Sequence, residues 1–128
     1  MASELVDDLR AALEAASQTA RGQKALHGHD EDFDLEIAGV GTFHLAFGGG
    51  KLEISEGPSP RQQALHYTLV QIGEPTLRAI LAGRISPVEA MEQGKLFLRT
   101  RLYGGALITI LLRAAYDLAQ EKKLTHEG

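Results

Sequence analysis

The chain has 128 residues, 44% of them hydrophobic and 23% charged, with no cysteine and a formal net charge of −4. That length suits one globular domain, residues 1–128, able to bury about two thirds of its unfolded surface. The acidic balance argues against a nucleic-acid partner, whose phosphates need a basic face, and the missing cysteines exclude a disulfide framework and thiolate catalysis and fit a cytoplasmic setting.

The first stretch, MASELVDDLRAALEAAS, lacks the basic start and unbroken apolar core of a secretion signal. Ser3 suits a helix cap, and Leu5, Leu9, Ala12, Leu13 and Ala16 recur at helical spacing. This predicts an N-terminal helix over residues 1–25, with a thin, alanine-rich stripe that can pack closely on a sheet. Gly22, Gly28 and the run HGHDED end it. From Asp32 the period changes to two. Phe33, Leu35 and Ile37 oppose Asp32, Asp34 and Glu36; Phe43, Leu45 and Phe47 repeat the alternation; Leu52 and Ile54 continue it. Gly39, Gly41 and the triplet at 48–50 mark the turns. The pattern is a three-strand meander with one wet face. After the loop GPSP, Leu65, Tyr67 and Leu69 predict a fourth strand.

The helical period then returns. Pro75 opens a helix carrying Leu77, Ile80 and Leu81, and Gly83 stops it. Ser86-Pro87-Val88-Glu89 is a capping box, and Gly94 is the next stop. Leu96 and Leu98 then alternate with Lys95, Phe97, Arg99 and Arg101 as a strand. A last helix is predicted over 106–122, its first half, ALITILL, apolar on every side and its second half wet. That apolar run is too short to span a bilayer. An all-round apolar helix is a core helix, a cover over an apolar space, or a dimer face. The order α-β-β-β-β-α-α-β-α predicts an α+β fold: a mostly antiparallel five-stranded sheet over 30–101, with a helix pair inserted in it and helices on one face.

Few polar residues invite chemistry. His27, His29 and Asp30 have ligand-type spacing, but zinc wants three or four ligands, and a solvated loop explains them. His44 and His66 alternate with the apolar set and read as wet-face residues rather than acid–base catalysts. The glycines at 48–50 precede a strand, not the GK[ST] helix of a phosphate loop. Lys95, Arg99 and Arg101 form a basic row that suits a headgroup or, more simply, a solvated face paired with Glu53 or Glu36. The expectation is a non-enzymatic protein with no metal and no cofactor. The C-terminal KLTHEG is neither a peroxisomal address nor a prenylation box.

One unit is more specific. A helix ends in ILAGRISP, a second follows in VEAMEQGK, and a strand leaves in KLFLR toward the hydrophobic last helix. With the meander FHLAFGGGKLEISEG, this resembles the sterol carrier protein type-two family over roughly residues 30–120. The resemblance implies an apolar tunnel between sheet and helices, covered by the last helix, that holds fatty acyl chains, sterols or other lipophilic molecules. Its implied lining is Phe43, Leu45, Leu65, Tyr67, Leu77, Ile80, Leu81, Met91, Leu96, Leu98, Leu107, Ile108 and Leu111. Such a site needs apolar surface and shape with few polar groups. The implied function is lipid binding and transfer. The alternatives are an accessory role in a lipophilic pathway such as quinone biosynthesis, or a structural homodimer with a self-filled pocket.

Overall fold

Phe33, Leu35 and Ile37 are buried on one side of a strand whose other side carries Asp34 and Glu36, and this alternation orients the whole molecule. The computed structural model describes residues 2–28, 31–48, 51–60, 67–100 and 106–127. Its elements are α1 (Ala2–Ser17), α2 (Ala20–Gly28), β1 (Glu31–Ala38), β2 (Gly41–Gly48), β3 (Lys51–Glu56), β4 (Thr68–Gly73), α3 (Glu74–Leu81), α4 (Pro87–Glu92), β5 (Leu96–Thr100) and α5 (Ala106–Glu127). The five strands form one sheet in the order β3-β2-β1-β4-β5. The expected α+β architecture is present.

The sheet is mixed. β1 pairs antiparallel with β2 but parallel with β4, while β2–β3 and β4–β5 are antiparallel. A parallel neighbour requires a crossover rather than a hairpin. Both described ends of that crossover are anchored on Asp34, on the outer face of β1. Its Oδ1 accepts from the Ser59 N–H at 2.7 Å, and its Oδ2 accepts from the Tyr67 hydroxyl at 2.6 Å. Asp34 is buried. A buried carboxylate needs such partners.

The parallel register also corrects the fourth strand. It sets Val70 opposite Leu35 and Ile72 opposite Ile37, so Thr68, Val70 and Ile72 face the helices. Tyr67 and Leu69 belong to the opposite parity, one residue out of step with the expected set, and the Tyr67 phenol is held on the outer face by Asp34. Leu65 lies outside the described residues. The Thr68 hydroxyl is buried without a hydrogen-bond partner among the described residues.

The N-terminal segment is two helices rather than one. At the break, the Thr19 hydroxyl donates to the Ala16 carbonyl at 2.7 Å and accepts from the Gly22 N–H at 3.0 Å, as a helix cap does. Gly22 is not a stop. It sits inside α2, where a Cβ would stand 2.1 Å from the Ala16 carbonyl oxygen. The later signals fall where the sequence puts them. Ser86 Oγ accepts from the Glu89 N–H at 3.1 Å, Glu89 Oε1 accepts from the Ser86 N–H at 3.3 Å, and Gly83 and Gly94 end their helices at positive φ. α5 continues to Glu127, past the expected end at 122.

Leu5, Leu9 and Leu13 of α1, Leu77 and Ile80 of α3, and Ile108, Leu111 and Leu112 of α5 pack with the inner face of the sheet in one buried cluster. That helical layer, and what lies on each side of it, positions the site.

Candidate functional site

The implied tunnel residues fall into three groups. Phe43, Leu45, Leu77, Ile80, Leu96, Ile108 and Leu111 belong to the buried cluster, each 5% exposed or less. Leu81, Met91 and Leu98 are half-buried and pack against it. Tyr67 is on the opposite face of the sheet, and Leu65 and the Leu107 side chain lie outside the described residues. The seven buried side chains pack together between sheet and helices.

Open apolar space lies on the other side of the helical layer. A cleft of about 630 Å³ runs between α1, α3 and α5, within the roughly 300–1,000 Å³ of small-molecule sites. Each helix presents one stripe to it. From α1 come Asp8, Ala11, Ala12 and Ala15; from α5, Ala115, Leu118, Ala119 and Lys122. Both stripes have the spacing i, i+3, i+4, i+7 of a single helical face. α3 contributes Arg78 and Leu81, and its C-cap residue Ala82 joins them. Leu5 reaches the cleft from the core side, and Arg84 from just beyond α3. Six of these side chains are alanines. Small side chains on three neighbouring helices leave a space that none of them can fill.

Its polar groups are all charged. Arg78 is partly neutralised, with Nη1 4.0 Å from Asp8 Oδ2 and Nη2 3.3 Å from Glu74 Oε1. Arg84 and Lys122 are exposed and form no ion pair among the described residues. The geometry at this end is fixed by a close approach. Gly83 has φ +75°, and a Cβ there would meet the Ala119 Cβ at 3.0 Å. The Gln120 side-chain amide donates to the Gly83 carbonyl and, at 3.2 Å, to the Tyr116 hydroxyl oxygen. Among the described residues the lining contains no hydroxyl, thiol or imidazole.

Of the described residues of the implied lining, only Leu81 borders this cleft. The sequence signal was present in the alanine stripes, but a stripe on one helix does not announce a space that needs three.

The other candidates are scattered. His44 lies on the outer face, opposite Asp34 in the strand register. His66, His29 and Asp30 lie outside the described residues, as does the side chain of His27. Among the described residues no group of three or more His, Asp or Glu stands together as a metal site. Among the described residues Lys95 and Arg99 form no ion pair, and Arg101 lies outside them. Glu53 is on β3, at the far edge of the sheet, and Glu36 accepts instead from the Gln71 amide at 3.3 Å. Among the described residues no helix is long and apolar enough to cross a membrane.

No protein-family model matches the chain, and no curated protein matches it. Solved structures do. The ubiquinone synthesis protein UbiJ-SCP2 superposes with a TM-score of 0.57 at 14% identity, over 80% of this chain and 83% of that one. A sterol carrier protein 2 gives 0.55 at 17%, over 89% and 92%. The sec-alkylsulfatase Pisa1 from Pseudomonas sp. gives 0.56 at 22% over 70% of this chain, which spans only 13% of the sulfatase. The class is thus a small α+β domain whose sheet is backed on one face by helices. More particularly, the chain has the sterol carrier protein type-two fold.

Proposed function

We propose that the protein binds a lipophilic molecule in the α1–α3–α5 cleft and carries it without covalent chemistry. The observation that carries this reading is the cleft itself: about 630 Å³, walled by leucine and alanine, with Arg84 and Lys122 at its rim and in no ion pair among the described residues. Space of that size suits an acyl chain or a comparable amphiphile, and free cations suit an anionic head. A described lining without a hydroxyl, thiol or imidazole favours a carrier over a catalyst. The fold neighbours named for sterol carriage and for ubiquinone synthesis lend support, since both names concern apolar molecules.

The test is titration of the delipidated, folded protein with a fluorescent fatty acid. Saturable binding at micromolar strength is expected, displaced by long acyl chains. Ala11 is exposed on the cleft wall. Ala11→Trp should therefore leave the fold intact and lower affinity at least ten-fold by filling the space. No saturable binding, or binding indifferent to Ala11→Trp, sinks the reading.

A further inference from the structure

The two edges of the sheet are built differently. On β3 the described exposed residues are Glu53, Ser55 and Glu56, and its apolar side chains Leu52 and Ile54 are half-buried against the core. On β5, at the opposite edge, Phe97 is 54% exposed. Only one other large apolar side chain among the described residues is comparably exposed: Val88, at 47%, in the adjoining helix α4.

Phe97 does not stand alone. Phe97 and Arg99 share the outer face of β5, Phe97 opposite Gln71 and Arg99 opposite Leu69 on β4, and Lys95, one residue before the strand, continues their alternation. Both cations are exposed and form no ion pair among the described residues. Beside Phe97 lies an open depression of about 480 Å³, bounded also by Glu36, Gln71, Thr76, Gly94 and Lys95. Charges on an edge strand ordinarily deter pairing with other chains. A half-exposed phenylalanine between two of them does the opposite, because it leaves apolar surface where a new strand would lie.

We propose that the β5 edge docks an extended acidic segment of a partner protein, which adds to the sheet as a further strand. No described strand borders β5 on its outer side, so alternate N–H and C=O groups are available there for backbone pairing. A segment of the pattern acid–x–apolar–x–acid places its carboxylates against Lys95 and Arg99 and its apolar residue against Phe97. The charge balance favours a strand over an anionic bilayer. A membrane plane would meet the whole outer face, including Glu36 and Glu53, on a chain of net charge −4. A strand meets only the basic row. This inference does not depend on the lipid reading.

The experiment uses the full chain and a small set of labelled peptides with a central glutamate–threonine–apolar–threonine–glutamate core, the apolar residue being valine, leucine or phenylalanine. Fluorescence anisotropy reads binding, and amide hydrogen exchange reads its place. Saturable binding and slower exchange at residues 96–100 are expected. Phe97→Ala should weaken binding several-fold. Lys95→Glu combined with Arg99→Glu should weaken it at least ten-fold and transfer preference to a peptide carrying lysines in place of the glutamates. Failure of all three peptides to slow exchange in β5 of the unmodified protein overturns the proposal, whether or not the variants fold. Charge reversal without a change of preference overturns it too. So does flotation with phosphatidylglycerol vesicles that depends on Lys95 and Arg99 while the peptides do not bind, which would assign the face to a bilayer.

Discussion

The helical layer presents leucine to the sheet and alanine to the outside, and the two sides end up as different kinds of space. Toward the sheet, Leu9, Leu13, Ile80 and Leu111 are wholly buried. Away from it, Ala11, Ala15, Ala82 and Ala119 line an open cleft. The same three helices make both surfaces, so their spacing is common to the two. The inner side is closed by the sheet packed on it, and the small side chains of the other side leave it open. Close packing recovers dispersion contacts that a gap forfeits. The leucine side therefore supplies stability, and the alanine side keeps room for something else.

The sharpest way to break this comparison is to make the same truncation on both sides of α5. Leu111→Ala removes a buried side chain from the core cluster and should destabilise by about 2–5 kcal/mol. Leu118→Ala removes a half-exposed side chain from the cleft wall. It should lower stability by less than about 1 kcal/mol, since little is left to collapse. Urea midpoints of the two variants decide the matter. Equal losses would mean that both sides are core.

A smaller effect is expected at the point where α5 meets the end of α3. Gly83→Ala puts a side chain on a residue at φ +75° and brings its Cβ to 3.0 Å from that of Ala119. Strain of this kind is of order 1–3 kcal/mol. Because Arg84 is the next residue and Ala119 lines the cleft, α5 must shift to relieve the contact. Ligand affinity should fall along with the denaturation midpoint. A variant of undiminished stability would show that the turn adapts freely and does not set the cleft's width.

How far the sequence could carry these conclusions depends on whether a feature belongs to one element or to several. The meander, the stops at Gly83 and Gly94 and the Ser86–Glu89 box are local. Each is visible in a handful of residues and falls where it was expected. β4 is not local. In HYTLVQIG both parities carry apolar residues, and Tyr67 and Leu69 make as good an alternation as Val70 and Ile72. Pairing with β1 chose between them, and Asp34 took the phenol of the losing set. Gly22 misled for a similar reason. Its missing side chain makes room for the Ala16 carbonyl, a constraint between two helices, yet in sequence it looks like a terminator. The cleft is the extreme case. The implied tunnel lining came with the family resemblance, and most of its described residues are buried between sheet and helices. An open site walled by alanine is found only once the helices that leave it open are placed.

The smallest expected effect concerns the rim. Arg84 and Lys122 are solvent-exposed cations, and contacts between exposed charges are worth about 0.2–1 kcal/mol. Reversing either one should therefore weaken binding of a fatty acid carboxylate by about two- to five-fold. The effect should shrink as salt rises, because at about 0.15 M the screening length is near 8 Å. Arg78 is the internal control. It already shares its guanidinium with Asp8 and Glu74, so Arg78→Gln should change affinity less than either reversal. The methyl ester of the same fatty acid separates charge from shape. It has the chain but no anionic head, and its affinity should be the same for the unaltered protein and for Arg84→Glu and Lys122→Glu. If ester and acid lose affinity together, the two residues act on the walls of the cleft rather than on a headgroup. If neither ligand responds and salt has no influence, the head lies elsewhere and only the alanine walls remain as the binding surface.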